Sequence, residues 1–588
     1  MSEFWPKFRR FILGIDTVTF LALFAGIFLL DIHYFACDLT PDDIMYAQDT
    51  ENGPIVNPGS FWRSSHILWS VTTLFFHRLW QFCGYSGGAI LPMQTLSIIY
   101  TALSVGILYL ILHRLTRDFL VSVVMALTFH FSAWVWQAAL HPKIYPSAVL
   151  FQLLSIYFIC FSPPGKSRGP IMGGLCQALS ILHHFATIFF VPAPLVFFLL
   201  QKTSFKTKLR DACLYLGFSL FLSFGFIYYA YRALIHCDPG PRLSFFIDWL
   251  IMRKATTGAF VAQRNLSEYF RFLNEQIVGN FPPPAVTRPD WMPTMTYGAT
   301  VKRGIYGFFF LGLLAVLLGL LSLAAGRITE KMRPLSRPFQ HVLASWKANL
   351  AYFCFFAAGL LLMLFAFYVV DPHNGLIFIV LAPFFLLLGL CVAPLKIPQP
   401  RSLFPWFYNG IINGALVVLM LMVLRINLAS GIYPSSRIEN NVELTRVLSL
   451  KKYLKSDDVI VVLGFFPDAR YFQYFLGARV LEVQLLFQWY NKNSSVFGPP
   501  VDPYLKMGEI INEEVGKHRV FLYSSMFRPE IPIMIRQYPP FMGMNAERFN
   551  SFFKNNYRLI FYRQADPKAI LYRLLPRSGN ISLLYAIK

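Results

Sequence analysis

Crossing the hydrocarbon core of a bilayer as a helix takes about 20 consecutive apolar residues. This chain of 588 residues holds several runs that reach or approach that length, among them "FLALFAGIFLL", "GFFFLGLLAVLLGLLSLAA" and "LAYFCFFAAGLLLMLFAFYVV". Soluble domains average roughly 45–50% apolar and about 25% charged residues; here 56% are hydrophobic and 14% charged. The expected fold class is a polytopic α-helical membrane protein of about eleven transmembrane helices. They are placed near residues 11–36, 89–112, 119–140, 147–162, 171–184, 185–201, 212–235, 304–326, 348–370, 375–395 and 407–426. The 171–201 pair reads as a short hairpin broken at "HHF".

Positive charge orients the bundle. Lys7, Arg9 and Arg10 precede the first run, and the joints "HRLTRD", "PGKSRG", "KTSFKTKLR", "GRITEKMRPLSRPFQ" and "KIPQPR" all fall on that same side. The positive-inside rule then sets the N-terminus in the cytoplasm. The first run is too long for a signal-peptide core and is followed by no small-residue cleavage site, so it is expected to be a retained signal anchor. On the outer face lie the loops 37–88 and 236–303 and the C-terminal tail. A helical domain over 1–429 and an exported soluble α/β domain over 430–588 are expected.

In the tail, short β-like runs ("DVIVVLG", "ARVLEV", "RVFLYS", "YRLIFYR", "AILYRLL") alternate with helical stretches such as "YLKMGEIINEEVGKHR". That alternation predicts a small domain with a mostly parallel sheet. The first strand is followed by "GFFPDAR", which lacks the glycine spacing of a dinucleotide site. None of the eight cysteines lies beyond Cys391, so the tail has no disulfide framework. Cys37, Cys83 and Cys237 fall on outer segments, with nothing to fix a pairing, and no Cys/His spacing resembles a zinc site. The net charge of +22 sits mainly on inner loops and the tail. It points to anionic membrane lipids as partners and, without any accompanying motif, to no nucleic acid.

The stretch "CDLTPDDIMYAQDTENG" concentrates Asp38, Asp42, Asp43, Asp49 and Glu51 where the first span ends. As acids at a helix end facing water they need no function. Their setting adds a second reading. Downstream, Leu68, Phe75, Phe76, Leu79 and Trp80 recur at helical spacing and predict an amphipathic helix lying in the interface. An acid pair at that depth is suited to deprotonating a hydroxyl arriving from outside while a lipid-borne group arrives from within the bilayer.

The order of these elements, D-D-x-x-Y ending at Tyr46, then the interfacial helix, then "HPKIY" and "LHHFAT", resembles the GT-C superfamily of integral-membrane glycosyltransferases. The likeness is greatest to the protein O-mannosyltransferase and aminoarabinose transferase branch, over roughly residues 10–235. The resemblance implies a polyprenyl-phosphate sugar as donor, a glycan, lipid or protein hydroxyl as acceptor, and an inverting displacement. It implies that a first-loop acid is the base, Asp43 or alternatively Asp42. Here the motif reads D-D-I-M-Y where many members have D-E-x-x-Y, which leaves that choice open.

A departing phosphate gathers negative charge and calls for fixed cations. Lys143 stands in a short outer loop that the charge rule would leave neutral, flanked by His141 and Tyr145; a snorkelling lysine explains it equally. His183 and His184 are donors of the right kind, or core histidines bonded to a carbonyl. Arg253, Lys254 and Arg264 lie on what reads as a second interfacial helix, where contact with lipid headgroups is the plainer reading, and Asp371 and His373 occupy another outer turn. The first-loop acids neither specify nor exclude a divalent ion.

Two other classes stay open. A lipid or glycan transporter or flippase would show inverted repeats and midplane ionisable residues; Asp16 and Asp31 are the strongly placed acids and no repeat is visible. A non-catalytic scaffold would use the tail alone. The expected setting is a bacterial inner membrane with a periplasmic tail, or its eukaryotic equivalent, the endoplasmic reticulum. There Asn265, Asn493 and Asn580 would begin glycosylation triplets.

Overall fold

The structure is a computed structural model that describes residues 14–56, 61–62, 66–163, 165–237, 345, 348–369, 375–396, 403–462, 468–483, 487, 502–523, 546–566 and 569–576. The chain forms two compact units. One joins Met1–Ala36 to Asp49–Ser436, and the other joins Cys37–Gln48 to Arg437–Lys588.

Among the described residues, the α-helices up to Asn427 are α1 (Ile15–His33), α2 (Pro41–Val56), α3 (Ile67–Phe82), α4 (Ile90–Thr116), α5 (Phe119–Phe131), α6 (Ala133–Leu140), α7 (Tyr145–Phe161), α8 (Arg168–His183), α9 (Ala193–Leu200), α10 (Phe205–Leu216), α11 (Leu222–Cys237), α12 (Leu350–Val369), α13 (Gly375–Val392) and α14 (Leu403–Asn427). Each expected span has a helix on it except 304–326, which lies outside the described residues. By length and composition four helical stretches among the described residues can cross a membrane: Ile15–His33, Ile90–Thr116, Phe205–Arg232 and Phe407–Ser435. A fifth would be α5 with α6, which meet at a bend of 63°.

Helix α4 is the hub. Its apolar window is 72% buried, against 11% for α1, and at 27 residues it is about 40 Å long. Close approach of α1 requires Gly106, since a Cβ there would meet the Phe20 ring at 2.5 Å. Without water to solvate polar groups, side chains in such a bundle bond to backbone carbonyls of neighbouring helices. Ser155 donates to Gly173 O at 2.8 Å, Ser180 to Ala148 O at 2.8 Å and Asn427 to Phe131 O at 2.7 Å. The carboxylate of Asp31, fully buried, accepts from the Trp136 indole of α6 at 2.8 Å and faces His130 of α5 at 3.3 Å, one partner on each side of the α5/α6 bend.

The joints read as cytoplasmic make ionic and polar ties. Asp16 in the first turn of α1 meets His113 at 2.7 Å near the end of α4. Asp118 caps α5 by accepting from Val121 N and also pairs with Lys396. Arg210 donates to Gly165 O at 2.7 Å.

In α3, the helix expected to lie in the interface, the pattern usual for a soluble protein is inverted. Ser70, Thr73 and His77 are buried on its inner side, whereas Phe75, Leu79 and Phe82 are 70%, 44% and 90% exposed. An apolar face turned outward beside a polar face turned inward suits a helix immersed in lipid headgroups and acyl chains. The expected apolar face is therefore present, with Phe75 and Leu79 at its most exposed part and Leu68, Phe76 and Trp80 half-buried.

In the second unit a five-stranded sheet runs in the order β2-β1-β3-β5-β4, with β1 at Val459–Val462, β2 at Arg479–Glu482, β3 at Val520–Tyr523, β4 at Tyr557–Asp566 and β5 at Ala569–Pro576. All five expected strands are present. The expected mostly parallel sheet needs correction. β1 pairs in parallel with β2 and β3, but β3/β5 and β4/β5 are antiparallel. The reason is local: only residues 567–568 separate β4 from β5, and a connection that short can join only antiparallel neighbours. Among the described residues its helices include α15 (Val442–Leu450), α16 (Asp468–Leu476), α17 (Pro503–Lys517) and α18 (Ala546–Asn556). Arg519 ties the start of β3 to the start of β1 through both oxygens of buried Asp458, at 2.7 and 2.6 Å. The sheet core is Val459, Val461, Val520 and Leu522 packed against Met507 and Ile511 of α17 and Phe553 of α18.

Candidate active site

Asp42, Asp43 and Tyr46 lie in the first turns of α2, inside the second unit. "TPDD" explains the local structure. Thr40 precedes the helix, Pro41 occupies its first position with φ already suited to it, and Asp43 stands three residues beyond Thr40. The result is a reciprocal cap: Thr40 N donates to Asp43 Oδ2 at 2.7 Å, and Asp43 N donates to Thr40 Oγ1 at 3.4 Å. Asp43 is fully buried, whereas Asp42 is exposed. The two acids thus stand in different environments, one engaged with the backbone and the other open to a reactant. Exposed too is Asp38.

The backbone leading into this cap is fixed as well. Asn441 donates to Cys37 O at 2.8 Å, and Tyr471 donates to Leu39 O at 2.6 Å. Neither residue stands out in the sequence. Of the other acids in the stretch, Glu51 accepts from Ala89 N at 2.6 Å ahead of α4, in the helical unit. Part of the acidic concentration is therefore helix capping.

The helical unit holds the remaining candidates that are described. "HPK" is a tight turn in which Lys143 N donates back to His141 O at 2.8 Å across Pro142, whose ring fixes φ. His141 is buried and Lys143 half-buried, with Ser97 donating to the Lys143 carbonyl at 3.4 Å. Tyr145 lies against the His184 ring, with centroids 5.1 Å apart. His184 ends α8 and starts the next turn, its Nδ1 accepting from Ala186 N at 3.3 Å. A neutral imidazole accepting at Nδ1 carries its proton on Nε2, where it is a donor. His183 is placed differently. It is 1% exposed, stacked on Phe151 at 5.2 Å and edge-on to Tyr100 at 6.0 Å, the position of a core residue. Arg253, Lys254, Arg264, Asp371 and His373 lie outside the described residues.

Gln94, which carries no signal in the sequence either, joins the residues that lead into the acidic stretch and into the "HPKIY" turn. Its buried Nε2 donates to Ala36 O at 2.9 Å and to Leu140 O at 2.8 Å, the residues directly preceding Cys37 and His141. Among the described residues no group of three or more His, Cys, Asp or Glu side chains is arranged to hold a metal ion.

No protein-family model matches the sequence, and no curated protein matches it. Solved structures do match. ArnT from Cupriavidus metallidurans in the apo state aligns with a TM-score of 0.56, and the same protein bound to undecaprenyl phosphate aligns with 0.51. Both cover 95% of this chain and 97% of their own, at 10% identity. At that identity the likeness is one of fold: the chain shares the architecture of that protein, here an apolar helical bundle and a smaller α/β domain.

Proposed function

We propose that the chain is a glycosyltransferase that moves a sugar from a polyprenyl-phosphate donor to a hydroxyl acceptor at the outer membrane surface. The observation that carries this reading is the unequal acid pair at the start of α2: a buried Asp43 locked into a helix cap beside an exposed Asp42, in a chain that shares the ArnT architecture. A base must be held rigidly and yet reach its substrate. In this pair the two requirements fall to different residues. Asp42 is the base, and Asp43, which the family resemblance puts first for that role, is the anchor.

In the reaction the acceptor oxygen attacks the anomeric carbon as its proton passes to Asp42. The bond from that carbon to the phosphate oxygen breaks, the electron pair leaves with the polyprenyl phosphate, and the anomeric configuration inverts. Charge gathering on the phosphate is met by Lys143, with the Nε2 proton of His184 as a neutral donor. A neutral imidazole suits a site near the membrane because it donates without the cost of a buried cation. The acceptor is a glycan, lipid or protein hydroxyl. The setting is a bacterial inner membrane with the acid pair on the periplasmic side.

The test is turnover by the full chain in nanodiscs, across a panel of undecaprenyl-phosphoryl sugars, read as release of undecaprenyl phosphate. Release with at least one donor, and loss of that release in Asp42→Asn, is expected. A folded protein that binds no member of the panel contradicts the proposal.

A further inference from the structure

No residue of the α/β domain proper takes part in the proposed reaction, yet the segment carrying the acid pair, Cys37–Gln48, belongs to its compact unit. We infer that this domain holds the base in register, and that Asn441 and Tyr471 are the positioning residues through which it does so. The inference rests on the reading of the acid pair given above.

The contacts form a chain with no slack. Asn441 caps α15, its Oδ1 accepting from Leu444 N at 3.0 Å. That bond fixes which end of the amide is oxygen, so both Nδ2 protons point the other way. One goes to Cys37 O at 2.8 Å and the other to the Tyr471 hydroxyl at 3.0 Å. Having accepted from Asn441, the Tyr471 hydroxyl donates onward to Leu39 O at 2.6 Å. Thr40 N follows at once, bound by Asp43. Three backbone groups within four residues, Cys37 O, Leu39 O and Thr40 N, are thereby fixed immediately ahead of Asp42.

Tyr471 is a permanent donor. Burial pushes its phenol well above the usual tyrosine range, the bond from Asn441 works against that rise, and the carboxylates of Asp38, Asp43 and Glu443 add to it. Asn441 and Tyr471 are 8% and 2% exposed, so the clamp is screened from water. A displacement of about 1 Å in a reacting group can cost 100-fold in rate. A clamp on the preceding backbone is therefore felt at the carboxylate without touching the donor.

The test compares full-length Tyr471→Phe and Asn441→Asp in nanodiscs with wild type and Asp42→Asn. Asn441→Asp keeps the cap on α15 but removes both amide donors. Undecaprenyl phosphate is the binding probe, and its release from the best undecaprenyl-phosphoryl sugar of the panel is the rate probe. A fall of about 10- to 100-fold in kcat, with probe affinity and donor KM unchanged, is expected for both variants. Asp458→Asn, which breaks the Arg519 pair in the same domain, controls for stability and is expected to lower Tm with kcat intact. If Asp42→Asn is inactive while Tyr471→Phe and Asn441→Asp turn over like wild type, the positioning role is overturned. If kcat in all three domain variants instead falls in step with Tm, the role is merely structural and the inference fails. Wild-type release in both Asp42→Asn and Asp43→Asn would remove the underlying reading of the acid pair, and the inference with it.

Discussion

The acidic loop and the "HPKIY" turn both follow a helix end, and both are pinned by hydrogen bonds to backbone carbonyls, but the pins come from different places. The loop is held from far along the chain, by Asn441 and Tyr471, 404 and 432 residues from the carbonyls they bind. The turn is held from within the helical bundle, by Ser97 of α4 and the proline-fixed bond between Lys143 and His141. The difference separates two jobs in the proposed reaction. A phosphate can be met by a cation on any rigid bundle element, whereas the base is set by side chains of the α/β domain.

The largest effect that would sharpen this contrast is on the acids. Asp42→Asn is expected to lower turnover by about 1,000-fold, within the range for loss of general base catalysis, with donor binding intact. Asp43→Asn keeps an oxygen that can accept from Thr40 N, so it is expected to retain at least about a tenth of the activity. A reversed order, measured as initial rates at saturating donor, would assign the base to Asp43.

On the bundle side, Lys143→Ala is expected to weaken undecaprenyl phosphate binding about 10-fold, or roughly 1.4 kcal/mol, more at low salt than at high. Equal loss of kcat and affinity would erase the distinction between the two loops. Gln94→Leu strips two buried carbonyls of their donor and is expected to cost about 1–3 kcal/mol of stability, read as a fall in Tm of the detergent-solubilised chain.

The smallest effect belongs to Glu482 on β2. Burial raises its carboxyl above the ordinary range, and Arg470 at 3.6 Å opposes the rise. A carboxyl whose folded pKa is raised contributes stability at pH values below its unfolded pKa and loses that contribution as pH rises through the folded value. Glu482→Gln is therefore expected to stabilise the chain at neutral pH by under about 1 kcal/mol and to flatten that pH dependence. A thermal midpoint profile from acid to neutral pH checks it.

Much of the architecture is legible from residue order. Apolar length locates the helices, since a bilayer leaves few alternatives to a helix of that size. Alternation locates all five strands. The direction of the last pair is implicit in the two residues between β4 and β5, a local constraint that outweighs the general α/β pattern. "TPDD" likewise carries a capping signature, Thr40 with an acid three residues on, and that spacing alone distinguishes Asp43 from Asp42. Asn441, Tyr471 and Gln94 have no such signal. Each binds a backbone carbonyl distant in sequence, a carbonyl is the same at every residue, and nothing local announces which one a remote side chain will meet. His183 shows the opposite limit, because "HH" offers two equivalent rings and packing against Phe151 and Tyr100 separates them.

The most direct measurement is a single-turnover reaction in nanodiscs with undecaprenyl-phosphoryl sugar bound beforehand, comparing wild type with Asp42→Asn. The account predicts equal occupancy by the donor in both proteins, with release of undecaprenyl phosphate in the wild type alone. Release at the same rate from both would contradict it, and the acidic loop would then be a capped exit loop that takes no part in chemistry.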